Sequence, residues 1–248
     1  MAYFHGNFVW RELMTTNVEA SKGFYGELFN WRFELAQMPD AQYWLVKQGE
    51  KSLAGLMALP AEAPAVTYWS SYVSVPDVDA AAAKATALGG QLYFGPTDIP
   101  GAGRAALVAD PEGAMINLYR DVKGDPETNG AMPGPFTFCW ETLGTRDIAV
   151  ATAFYTEVVG WTKGEFNGMT TLVSASGPVA DLQVTPEGVP PYWMTFVSVP
   201  SLSDRRDAAA RLGATVLMPE ITVPGVGLIA VIQDPTGGVI GLFEPRQG

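Results

Sequence analysis

Glu12 is the residue in this chain whose type and setting best suit proton transfer. Alternation along the strand expected over 8–15 puts Trp10, Glu12 and Met14 on one face. On an inward face beside Trp and Tyr, the carboxylate's charged form is desolvated and its pKa rises, which suits a general acid or base. The same alternation groups Ser70 with Tyr72 and Ser74, and Asn117 with Met115 and Tyr119. Tyr72, with Glu12, is the second candidate catalytic residue, since a phenol can donate to a substrate carbonyl; Tyr119 could do the same. Asn117 and Ser70 could orient a ligand oxygen, and Trp10, Trp44 and Trp69 could stack on a planar ligand. The corresponding rows of the second half read Trp140, Thr142, Gly144; Met194, Phe196, Ser198; and Val239, Gly241, Phe243. That set is nearly all apolar, with Trp140 and Met194 its candidate ligand contacts.

Each of these residues has a plain structural alternative. Glu12 can be satisfied by a Tyr hydroxyl or by an Arg such as Arg104, or can face solvent. The tyrosines can be packing aromatics with tethered hydroxyls, the tryptophans core filling, and Asn117 can bond local backbone. Arg11 and Glu141 hold equivalent places in the two halves and could pair across them. Gly101-Ala102-Gly103-Arg104 follows a Pro and opens a strand, not a helix, so it lacks the context of a phosphate loop. Cys139 reads as a buried strand residue and His5 as a solvated terminal one.

Composition narrows the chemistry further. The 248 residues include 15 basic and 26 acidic side chains, a net charge of −11, with one His and one Cys. An acidic chain is a poor partner for a phosphate backbone or an anionic membrane. A single His and a single Cys exclude a multi-His cage, a Cys-rich zinc site and an internal disulfide framework. The N-terminal segment carries neither a basic region nor a long apolar run, so a cytoplasmic location is expected, with no membrane span.

The elements that must hold these residues are written twice. Residues 8–31 align without gaps to 138–161 at an offset of 130, and 68–76 to 192–200 at an offset of 124. Six of the seven Trp form matched pairs, 10/140, 31/161 and 69/193, which leaves Trp44 alone. This predicts two modules, 1–120 and 136–248, joined by a Gly- and Pro-rich linker at 121–135. In the first module, strands are expected at 8–15, 31–37, 41–48, 51–58, 67–75, 91–98, 104–110 and 114–120. Helices are expected at 18–30, capped by Asn17, and 77–88, opening on Asp77; Asp147 and Ser201 open their counterparts. The pattern is β-α-β-β-β, repeated.

Three motifs give this pattern a family. A helix ends FY-x-E-x-x-x-W at Phe24–Trp31 and Phe154–Trp161, a strand runs into V-P-D-V-D-A at Val75–Ala80, and a D-P-x-G turn precedes the last strand at Asp110 and Asp234. In that order the sequence resembles the vicinal-oxygen-chelate superfamily of glyoxalase I, extradiol dioxygenases and bleomycin-resistance proteins. The resemblance implies an α+β fold of two tandem glyoxalase-like modules, each of paired βαβββ units whose curled mixed sheets form concave pockets. It also implies a divalent metal held by His, Glu or Gln. The positions matching those ligands are Trp10, Ser70 and Asn117 in the first module and Trp140, Met194 and Gly241 in the second. Trp and Met fill a ligand position with apolar bulk, so neither a metal nor another cofactor is expected.

The expected function is therefore binding of a small aromatic or apolar metabolite or antibiotic in a concave pocket. The alternatives are a metal-independent lyase, isomerase or hydroxylase-type enzyme using Glu12 as acid and base, and a metal-dependent glyoxalase or dioxygenase. The expected partner is a small molecule and the expected state a monomer or homodimer.

Overall fold

The computed structural model describes residues 1–36, 42–60, 65–126 and 134–246. In the first copy β1 (Phe8–Thr15), α1 (Val18–Phe29), β2 (Arg32–Ala36), β3 (Tyr43–Gln48) and β4 (Lys51–Ala58) are followed by β5 (Tyr68–Ser74), α2 (Val78–Ala87), β6 (Gln91–Ile99), β7 (Gly103–Ala109) and β8 (Met115–Asp121). The second copy repeats the order as β9 (Phe138–Thr145), α3 (Ile148–Val159), β10 (Thr162–Phe166), β11 (Met169–Ser174), β12 (Gly177–Val184), β13 (Tyr192–Ser198), α4 (Leu202–Arg211), β14 (Thr215–Val223), β15 (Gly227–Gln233) and β16 (Val239–Pro245). Gln37 and Ala41, at the ends of two expected strands, and 127–133 of the expected linker lie outside the described residues.

Local chemistry sets the helix ends. Asn17, Asp77, Asp147 and Ser201 each sit in extended backbone and accept a first-turn backbone N–H, the N-cap geometry their types favour. α1 ends on Asn30 and α3 on Gly160, both with left-handed backbone (φ 56° and 86°).

The sheets correct one expectation. Hydrogen bonding orders the strands β2-β3-β4-β1-β5-β8-β7-β6 in the first and β10-β11-β12-β9-β13-β16-β15-β14 in the second. Each order runs from one edge strand to another without closing, so these are open mixed sheets flanked by helices, not curled ones. Repeated βαβββ patterning fixes strand order, but curvature depends on bulges and twist that the pattern does not encode.

Two compact units divide the chain, and each copy of the repeat contributes to both. One comprises Met1–Val9, Ser70–Ala131 and Glu141–Trp193; the other Trp10–Trp69, Met132–Trp140 and Met194–Gly248. The first unit's core joins Val73, Ala82, Val108, Ile116 and Leu118 to Leu143, Phe154, Tyr155 and Trp161. The second joins Leu13, Tyr25, Leu28, Phe29 and Leu56 to Val197, Leu202, Ile232 and Leu242.

Two of the three sequence motifs, the FY helix end and the D-P-x-G turn, meet inside these cores. Tyr25 of the first FY motif donates to Asp234 Oδ2 (2.7 Å), and Trp69 Nε1 donates to the Tyr25 hydroxyl (2.9 Å). Asp234 Oδ1 accepts from the backbone of Thr236 and Gly238, shaping its own D-P-x-G turn. The mirror network runs from Trp193 Nε1 to Tyr155 (2.8 Å) and from Tyr155 to Asp110 Oδ2 (3.1 Å). Burial, reinforced by the neighbouring carboxylate, holds both phenols well above the usual tyrosine range. Each copy's helix motif thus satisfies the other copy's turn.

Candidate functional site

Within the second unit, β1 directs Leu13 and Thr15 into the core and leaves Trp10, Glu12 and Met14 half-buried on the opposite face. That face is built by register. Glu12 pairs with Gly55 and Met14 with Met57 across β1 and β4, while Leu45 pairs with Gly55 and Tyr43 with Met57 across β3 and β4. Trp10 Nε1 donates to the Tyr43 hydroxyl (2.9 Å). That hydroxyl lies over Gly55, where an added Cβ would stand 1.9 Å from it. Glycine at this rung is therefore the space in which Tyr43 sits. Tyr68, at the start of β5, has its phenol pushed up by burial and then by the charge of Glu12. The Glu12 charge thus acts on the Tyr68 phenol. Arg104, the Arg considered as its partner, instead holds Asp79 (2.6 Å) and Asp98 (2.9 Å).

Trp44 and Trp69 lie on the core side. Trp69 belongs to the buried cluster, and Trp44 packs against it with Lys22 Nζ 3.6 Å from its ring centroid. Trp140 is half-buried near the start of β9, and Met194 is half-buried on β13.

Within the first unit, Ser70, Asn117 and Tyr119 come together on the face of β5 and β8 away from the helices. Asn117 Nδ2 donates to Ser70 Oγ (2.6 Å). Tyr72 meets Tyr119 edge to face at 5.7 Å. Tyr119 donates to Asp121 (3.2 Å), and burial, then the Asp121 charge, raises its pKa. Register extends this face across four strands. Tyr72 pairs with Asn117, Asn117 with Leu107, and Leu107 with Phe94, one rung over β5, β8, β7 and β6. Phe94 is 56% exposed, and Met115, on the neighbouring rung, is 39% exposed. Phe94 and Leu107 were not singled out from the sequence. Their alternation was readable, but two bulges in β6, between Leu92 and Phe94 and between Phe94 and Thr97, hide which residue falls on the rung.

The second copy holds a carboxylate that its apolar rows did not suggest. Thr142 pairs with Asp181 across β9 and β12, the rung that matches Glu12 and Gly55. Asp181 is buried and accepts from Thr142 Oγ1 (2.6 Å) and Gln183 Nε2 (2.8 Å). Tyr192, matching Tyr68, is pushed up by burial and then by the Asp181 charge. The carboxylate beside the tyrosine is kept but moved one strand over. Its signal was the register of β12, not that of the three strands compared.

Three further residues have plain roles. His5 is half-buried, with Nδ1 3.2 Å from Ser74 Oγ, and not a solvated terminal side chain. Cys139 is half-buried and bonds the Phe196 carbonyl. Glu141, fully buried, accepts from Ser71 Oγ (2.9 Å).

Residues 7–118 match the Glyoxalase/Bleomycin resistance protein/Dioxygenase superfamily. CFP32 of Mycobacterium tuberculosis, a provisionally named glyoxylase, is 30% identical over 98% of this chain and 96% of its own. The anthracycline biosynthesis protein DnrV of Streptomyces peucetius is 28% identical over 96% of this chain and 93% of its own. In fold, the Mn(II)-bound glyoxalase from Novosphingobium aromaticivorans superposes with a TM-score of 0.61 at 18% identity, covering 98% of this chain and 82% of that one. The chain belongs to the glyoxalase, bleomycin-resistance and dioxygenase superfamily, in its duplicated form.

The metal that this family implies does not fit the residues present. Trp10 offers an N–H already given to Tyr43, Asn117 turns its amide nitrogen to Ser70, and Trp140, Met194 and Gly241 supply no oxygen or imidazole ligand. Among the described residues no three His, Cys, Asp or Glu side chains are grouped to hold a metal ion. Also among them, no helix is long and apolar enough to cross a membrane.

Proposed function

We propose that this chain binds a small planar aromatic molecule on the face of β5, β8, β7 and β6. The observation that carries this reading is the rung Tyr72–Asn117–Leu107–Phe94, with its exposed Phe94 and neighbouring Met115. Four strands span about 14 Å at the usual inter-strand spacing, a length suited to two or three fused rings. Asn117, Ser70 and the two tyrosines supply the few polar groups that orient a ligand on an apolar floor. The relative named for anthracycline biosynthesis supports a flat fused-ring ligand, since anthracyclines are such compounds.

The test is thermal unfolding and fluorescence titration against a panel of neutral fused-ring aromatics, with Phe94→Ser and Asn117→Ala alongside the parent chain. Bound ligand should raise Tm, and Asn117→Ala should weaken binding roughly five- to tenfold, the worth of one hydrogen bond of about 1 kcal/mol. Absence of sub-millimolar binding by any compound, or binding untouched by either substitution, defeats the reading.

A second reading has its own support. The carboxylate of Glu12 beside the raised phenol of Tyr68 is a pair able to hold and pass a proton, which favours a metal-independent lyase or isomerase. Loss of turnover in Glu12→Gln, once a substrate is in hand, with binding kept, is its test.

A further inference from the structure

The rung that carries the proposed ligand has a counterpart in the second copy, and there the floor is occupied. Phe196 pairs with Gly241, Gly241 with Val231, and Val231 with Met218, across β13, β16, β15 and β14. Phe196 stands where the first copy has Tyr72, and Gly241 where it has Asn117. A Cβ added to Gly241 would lie 2.2 Å from Phe196 Cδ1 and 2.3 Å from Cε1. The ring therefore lies over Gly241 of β16, in the space where the Asn117 side chain stands in the first copy. Phe196 is 4% exposed.

Burial at four positions along and beside the rung agrees. Tyr72 and Leu107 are half-buried where Phe196 and Val231 are buried; Phe94 and Met115 are exposed where Met218 and Val239 are half-buried. At these four positions the first copy is the more open, whereas Ser70, Ala105 and Ala109 are buried where Met194, Ile229 and Gln233 are half-buried. A ring tethered to the sheet acts as its own ligand, at an effective concentration that a free molecule cannot match.

We propose that Phe196, seated over Gly241, closes the second copy, so that the chain binds one aromatic molecule and binds it on the first copy. This rests on the binding reading above and adds which copy is used and which residue decides it. The pair of residues is the selector: Tyr with Asn opens the face, and Phe with Gly fills it.

The experiment exchanges the pairs and counts sites with the neutral fluorescent probe N-phenyl-1-naphthylamine, titrated at protein concentrations far above half-saturation. The parent chain should bind one probe. Phe196→Tyr with Gly241→Asn should bind two, and Tyr72→Phe with Asn117→Gly should bind none or at least tenfold more weakly. Circular dichroism verifies folding of each, and the milder Phe196→Leu, which should add a weaker second site, stands in if the double exchange fails to fold. A folded second-copy variant that stays at one site, or a parent chain that binds two, overturns the role of Phe196. A parent chain that binds none while the second-copy variant gains one site removes the first-copy reading but upholds Phe196 as the plug. No binding by any variant removes both.

Discussion

Tyr25 and Asp234, 209 residues apart in the chain, are joined by a buried 2.7 Å hydrogen bond. The bond links the helix motif of one copy to the turn motif of the other. It has a mirror in Tyr155 and Asp110.

Tyr25→Phe strips one donor from the Asp234 carboxylate and leaves the Trp69 N–H without its acceptor. Both groups are buried, so stability should fall by about 1–3 kcal/mol. Urea denaturation followed by Trp fluorescence measures it. A loss below about 0.5 kcal/mol would mean that water reaches the network and that the bond does not hold the copies' motifs together.

Asp110 gives a pH signature. Burial raises its pKa above the ordinary 3.8, against the turn's backbone N–H groups and Tyr155, which lower it. A raised folded pKa contributes stability that is complete below the unfolded value and is lost as pH rises through the folded one. Asp110→Asn keeps an acceptor for the turn and does not titrate. Its stability relative to the parent chain should therefore improve as pH rises from acid to neutral. Denaturation curves at both ends of that window decide it, and a constant or worsening difference contradicts the assignment.

Glu12→Gln should lower the Tyr68 pKa part of the way toward 10, because it removes a charge but not the burial, which is the larger cause. Tyrosine-selective NMR titration, with Tyr68→Phe to identify the resonance, reports it. An unmoved pKa separates the two residues and withdraws the acid–base reading of the pair.

Gly55→Ala should destabilise the chain by about 1–3 kcal/mol, since the new methyl collides with the Tyr43 ring that fills its place. The cost should shrink in a Tyr43→Leu background. A double-mutant cycle measures the coupling, and additive effects would show that Tyr43 does not rest on Gly55.

Much of this was legible in the sequence, for reasons particular residues make plain. Asn17, Asp77, Asp147 and Ser201 announce four helix starts because capping is local. The paired Trp and the two D-P-x-G turns announce the duplication. What they do in space was hidden. Trp69, a stacking candidate by type, donates to a core tyrosine, as its counterpart Trp193 does. The roles of Gly55 and Gly241 depend on which ring crosses the strand, and that is a matter of register. Asp181 escaped notice because its carboxylate is on β12, while its counterpart is on β1. The curled sheet came from family likeness, and the open strand order shows what likeness alone could not fix.

The crossed cores also impose an order on synthesis. The segments of the unit built from Met1–Val9, Ser70–Ala131 and Glu141–Trp193 have all been made once residue 193 is joined. The other unit begins at Trp10 but needs Leu242 for its core. At ribosomal speeds of about 5–20 residues per second, Leu28, Phe29 and Leu56 wait about 9–43 s for Leu242. The earliest large stretch of the chain to leave the ribosome is thus among the last to be buried. During that interval the apolar side chains of Leu13, Leu28, Phe29 and Leu56 lack the partners that later cover them.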